Sequence, residues 1–125
     1  MRVAVVDIGT NSTRLLIADM AAGGVADQLV RRSQVTRLGD QVDSTGSLSD
    51  QAIQRTCAVL DEYRRAIDEH GCQANLAVLT SAVRDASNGP DFVARVRDEY
   101  RLDARKLSGD QEARHCEPAL IRRHR

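Results

Sequence analysis

The chain has 125 residues, 42% hydrophobic and 29% charged, with 18 basic and 18 acidic side chains that cancel. A chain of this length and balance builds one globular domain, and its composition excludes an intrinsically disordered protein. Zero net charge excludes a global basic field for nucleic acid or anionic membrane, so any anionic ligand must be held by local donors.

Only Tyr63, Phe92 and Tyr100 are aromatic. The core must therefore be aliphatic, and the stacking surfaces of single-strand nucleic-acid binders are missing. Cys57, Cys72 and Cys116 are odd in number and widely spaced, which fits neither a disulfide framework nor a zinc motif. They read as reduced thiols of a cytoplasmic protein. The opening apolar run is broken by Asp7 and is no signal peptide, and no run approaches the ~20 apolar residues of a membrane helix.

Val3-Ala4-Val5-Val6 reads as a strand buried on both faces. Asp7-Ile8-Gly9-Thr10-Asn11-Ser12 follows as a polar turn, and Leu15 to Asp19 as the second arm of a hairpin. After the Gly23-Gly24 turn, a third strand runs from Val25 to about Thr36. Gly39 to Ser47 reads as a loop. Ser49 is the N-cap of a helix that carries Ile53, Cys57, Leu60 and Ile67 on its apolar stripe and charges outside. Gly71 stops that helix. Leu76 to Thr80 is a strand, Pro90 and Asp91 open a second amphipathic helix, Leu102 to Leu107 is a short strand, and Ser108 to Ala113 starts a third helix. The order β-β-β-α-β-α-β-α predicts a mixed sheet covered by helices.

Three segments carry chemistry. In the first, Asp7 ends a buried strand, where a carboxylate suits a divalent metal or its water. Gly9 admits close backbone approach, and Thr10, Asn11 and Ser12 offer N–H and hydroxyl groups to an anion. The same residues also fit an ordinary polar hairpin turn. The second, Thr80 to Asn88, sets Arg84 just past a strand among hydroxyl and amide side chains. That placement suits bidentate phosphate recognition, or a local pair with Asp85. The third, Leu107-Ser108-Gly109-Asp110-Gln111-Glu112-Ala113, by itself reads as a helix start whose carboxylate faces the dipole. Cys57 reads as core, and His70, His115 and His124 share no ligand spacing.

Taken together and in this order, the three segments resemble the exopolyphosphatase / guanosine pentaphosphate phosphohydrolase (Ppx/GppA) family over roughly residues 1 to 113. The resemblance implies an α/β, ribonuclease-H-like half-domain of the actin, Hsp70 and sugar-kinase superfold. It also implies a hydrolase that releases orthophosphate from polyphosphate or guanosine pentaphosphate. Asp7 would position Mg2+. Gly9, Thr10, Asn11 and Ser12 would hold terminal phosphates. Arg84 would neutralise the transferring phosphoryl group, and Glu112 would be the catalytic base.

Two departures stand out. Gln111 occupies a position where the family often has a second carboxylate. The family's second phosphate motif, an Asp-Ile-Gly-Gly-Gly-Ser-Thr-Glu run after the base helix, is absent. Instead residues 114 to 125 form a basic tail with Pro118 in it. The expectation is a truncated N-terminal portion with an incomplete metal site. Its protein partners would be a second copy of itself or a complementing second-half chain. Two alternatives are a catalytically inactive phosphate-binding or assembly module, and a kinase or ATPase fragment of the same superfold.

Overall fold

The computed structural model describes residues 1–40, 42–80 and 86–106. Three antiparallel strands come first: β1 Arg2–Ile8, β2 Ser12–Ala21 and β3 Gly24–Val35. A helical turn α1 Val42–Thr45, the long helix α2 Asp50–Glu69, β4 Ala74–Leu79, α3 Gly89–Tyr100 and β5 Ala104–Lys106 follow. The sheet order is β3-β2-β1-β4-β5. β4 and β5 run parallel to β1, so the sheet is mixed, as the element order predicts.

The first two strands extend beyond the apolar runs that announce them. Asp7 lies inside β1 and Ser12 opens β2, so the connecting turn shrinks to Gly9, Thr10 and Asn11. Ladder pairing, not hydrophobicity, sets those ends, because Asp7 pairs with Arg14 and Ile8 with Thr13. The 39–47 stretch is not all loop, since α1 occupies part of it. The third predicted helix, from Ser108, falls outside the described residues.

Helix α2 starts where its cap chemistry dictates. The Ser49 side chain accepts from the Ala52 N–H at 3.1 Å, satisfying one of the orphan donors of the first turn. At the other end Gly71 adopts a left-handed φ of 62° and ends the helix. Its buried stripe is wider than the four residues read from spacing. Ala52, Thr56, Val59, Tyr63 and Ala66 join Cys57, Leu60 and Ile67, while Ile53 is only partly buried against the core. In α3, Pro90 sits in the first turn, where its missing N–H costs nothing. Gly89, Phe92, Val93, Val96 and Tyr100 are its buried residues.

Alternation along the strands divides the core. Ala4, Val6, Ile8, Leu15, Ile17, Ala77 and Leu79 belong to the cluster that includes the apolar stripes of α2 and α3. Val3, Val5, Leu16, Ala18 and Met20 form a second cluster from the opposite strand positions. Asp7 shares the parity of this second set.

At the far end of the sheet, Arg2 donates to Asp19 through Nε at 2.9 Å and to the His70 carbonyl through Nη1 at 2.9 Å. The hydrogen bond from Arg2 holds the Asp19 carboxyl below its ordinary range, despite an opposing effect of desolvation. A depressed folded-state value means the contribution is present above the ordinary carboxylate range and lost as pH falls through the folded value. Asp19→Asn is therefore expected to lower the melting temperature at pH 7, and the gap to the parent should close as pH falls through the depressed folded-state value. A gap that persists in acid would disprove the linkage.

Candidate functional site

The three parallel strands end in line. Ile8 of β1 pairs with Leu79 of β4, and Leu79 pairs with Lys106 of β5. Each chemistry-bearing segment leaves from this one end: Gly9 follows Ile8, Thr80 follows Leu79, and Leu107 follows Lys106. The carboxyl ends of parallel strands are where open α/β sheets bind ligands.

The turn after β1 is closed by the Gly9 N–H, which donates to the Ser12 carbonyl at 2.9 Å. A Cβ on Gly9 would stand 3.0 Å from that same oxygen. Glycine is thus favoured by close backbone approach rather than by an unusual φ.

Behind the turn runs a short strap, residues 36 to 39. Thr36 N–H and Arg37 N–H both donate to the Asn11 carbonyl at 3.0 Å, and Gly39 N–H donates to the Thr10 carbonyl at 3.0 Å. A trans peptide carries its C=O and N–H on opposite sides. With both carbonyls drawn to the strap, the N–H groups of Asn11 and Ser12 are turned to the other side. Thr10 and Asn11 are exposed and Ser12 is half-buried, so this side of the turn can meet a ligand. Successive N–H groups aimed one way are the chemistry of an anion cradle.

The strap is itself anchored. Thr13 Oγ1 and Thr36 Oγ1 share a buried hydrogen bond at 2.8 Å. Tyr63 Oη, from the middle of α2, donates to the Thr13 carbonyl at 2.8 Å. Arg55 donates through Nε to the Thr36 carbonyl at 2.9 Å and through Nη2 to the Arg37 carbonyl at 3.2 Å. The sequence reading set Arg55 among solvated surface charges and passed over Tyr63. The available signal was position: Tyr63 lies three residues beyond Leu60 on the apolar stripe, and a buried tyrosine needs a partner for its hydroxyl.

Asp7 is 8% exposed, with its Oδ1 closed to solvent. It stands between Arg14 on β2 and Val78 on β4. Thr80 ties the end of β4 to β1, donating through N–H to the Ile8 carbonyl at 3.3 Å. On the far side of residues 81–85, Ser87 N–H donates to the Gly46 carbonyl at 2.7 Å. Asn88 makes a reciprocal pair with Leu48, accepting from its N–H at 2.8 Å and donating to its carbonyl at 3.0 Å. The Asn88 amide is thus spent on the backbone. Arg84, Gln111 and Glu112 lie outside the described residues.

Among the described residues no group of three or more His, Cys, Asp or Glu side chains could hold a metal. The donor set still fits Mg2+ in one way. Mg2+ is commonly held by one or two carboxylates, its remaining ligands being water and substrate phosphate. Asp7 offers one such carboxylate at the mouth of the turn. Cys57 and Cys72 are free thiols, and burial pushes both upward in pKa, so neither is a ready nucleophile. No helix among the described residues is long and apolar enough to cross a membrane.

Sheet order, crossover pattern and the strapped hairpin define an α/β half-domain of the actin, Hsp70 and sugar-kinase superfold. Comparison with known proteins narrows this further. The profile of the Ppx/GppA phosphatase family matches residues 16–123, and the chain belongs to that family. Exopolyphosphatase 2 of Mycobacterium tuberculosis is 42% identical over 100 residues, covering 78% of this chain and 31% of its own length. Exopolyphosphatase 1 of Mycobacterium bovis is 33% identical over 114 residues, covering 91% of this chain and 33% of its own. The crystal structure of the Aquifex aeolicus Ppx/GppA family member superposes with a TM-score of 0.83 at 39% identity, over 91% of this chain and 37% of that one. The chain thus spans about a third of the length of the curated relatives it matches.

Proposed function

We propose that this chain supplies the first phosphate-binding wall of a phosphoanhydride hydrolase, which releases orthophosphate from the end of polyphosphate or guanosine pentaphosphate. The carrying observation is the alignment of the three strand ends. It sets Ile8, Leu79 and Lys106 in line at one end of the parallel strands, and in sequence the Gly9–Asn11 turn, the Arg84 segment and the Glu112 segment follow these three residues. The exopolyphosphatase relatives support the substrate class.

In this reading the N–H groups of Asn11 and Ser12, with the Thr10 and Ser12 hydroxyls, hold the terminal phosphate. Gly9 contributes by lacking a Cβ, since its N–H closes the turn. Arg84 balances charge on the phosphoryl group as it transfers. Glu112 takes a proton from the attacking water. Mg2+, when bound through Asp7, would neutralise phosphate oxygens.

The test is tripolyphosphate titrated into this chain and read by amide NMR shifts. The reading expects saturable shifts at Asn11 and Ser12, and Gly9→Val should weaken binding about tenfold or more (~1.4 kcal/mol). Silence at both amides would overturn it. The alternative reading is a phosphate-binding or assembly module that hydrolyses nothing. Saturable tripolyphosphate binding with no orthophosphate released in magnesium, once residues 1–113 are joined to the remaining part of a longer relative, would select that reading. ATP binding without polyphosphate binding would instead mark a kinase or ATPase piece.

A further inference from the structure

A surface cleft of about 330 Å³ opens beside the strap, lined by Val35, Arg37, Asp40 and Arg55. Its described lining includes none of the residues of the turn after β1. Two guanidinium groups and one carboxylate share it, leaving one positive charge in excess. Arg55 is 3.9 Å from the Asp40 carboxylate, and both side chains are largely open to solvent, at 41% and 53%.

Two features set this cleft apart from an ordinary charged surface. First, Arg55 is fixed in place, because its Nε and Nη2 donate to the Thr36 and Arg37 carbonyls. A guanidinium immobilised by two bonds is pre-organised for a further acceptor. Second, Arg37 holds a left-handed φ of 51°. A non-glycine residue pays roughly 1–2 kcal/mol for that conformation. Glycine would serve the backbone at no such cost, yet a long cationic side chain stands there, exposed beside a second fixed cation.

We propose that this cleft is a second anion site that takes a phosphate group, either free orthophosphate or a phosphate within a chain. The tetrahedral oxyanion would accept from Arg37 and Arg55 together, a charge-assisted arrangement suited to guanidinium forks. Asp40 limits its affinity by standing as a like charge next to the anion. The proposal does not depend on hydrolysis.

Orthophosphate, and separately tripolyphosphate, would be titrated into this chain, with the strap amides of Thr36, Leu38 and Gly39 read by NMR. Saturable shifts there are expected. Arg37→Gly should abolish or weaken them at least tenfold while keeping the fold, since glycine adopts the required φ freely. Asp40→Asn should tighten binding, by about fivefold, an effect that a merely structural role for Asp40 would not produce. Saturation by orthophosphate assigns the cleft to free phosphate, and saturation by tripolyphosphate alone assigns it to phosphate in a chain. Shifts confined to Asn11 and Ser12 would remove the cleft and leave the turn untouched. Strap shifts indifferent to Arg37→Gly, or unimproved by Asp40→Asn, would also overturn the proposal.

Discussion

Replacing Glu112 by alanine is expected to lower orthophosphate release by about 10²–10⁴-fold, the usual contribution of a positioned general base. The context for the measurement is a chimera in which residues 1–113 of this chain replace the matching part of a longer family relative. Phosphate binding should survive, because the groups proposed to hold the anion sit on the turn after β1 and not on the Glu112 segment. Loss of rate with retained binding is the signature of an interaction made in the transition state. Full activity in the variant would remove Glu112 from the role of base and send the search to another carboxylate.

Replacing Tyr63 by alanine is expected to be the most damaging single change to the fold among the described residues. The ring is fully buried, and its hydroxyl bridges the middle of α2 to the Thr13 carbonyl beside the strap. Removing a buried aromatic ring typically costs about 3–5 kcal/mol. For a domain of this size that is a fall in melting temperature on the order of 10–25 °C. Tyr63→Phe separates the two contributions. It keeps the packing and forfeits one hydrogen bond, a net loss of about 0.5–1.5 kcal/mol. A near-parental melting temperature in Tyr63→Ala would mean that α2 is not what anchors the hairpin.

Local signals in the sequence were enough to place most elements. Ser49, Gly71 and Pro90 mark helix ends because capping and φ restriction act over a few residues, and all three stand at their expected positions. Short apolar runs located β1, β2 and β4 but not their ends, because Asp7 and Ser12 are polar residues held in strands by pairing across the sheet. The short turn α1 was missed, since four residues rich in Asp, Ser and Thr carry no periodicity.

The turn was legible as a candidate site because Gly9 and its polar neighbours are contiguous. Its support was not. The strap joins Thr36 and Arg37 to Asn11, and Gly39 to Thr10, across more than twenty residues of chain. Arg55 and Tyr63 reach it from α2, still further along. Such contacts exist only once the sheet and helix have packed, and no spacing rule encodes them. Arg55 shows the consequence: periodicity assigns it to the solvent face, while its stem turns back to cap two carbonyls.

The chimera itself tests the central claim most directly. Residues 1–113 of this chain, joined to the remaining two thirds of a longer relative, would be incubated with polyphosphate in magnesium and assayed for free orthophosphate. Release that is lost in Glu112→Ala is the predicted result. A chimera that folds and binds tripolyphosphate at Asn11 and Ser12 yet releases no orthophosphate would contradict it, leaving these residues as a phosphate-binding wall without hydrolytic chemistry.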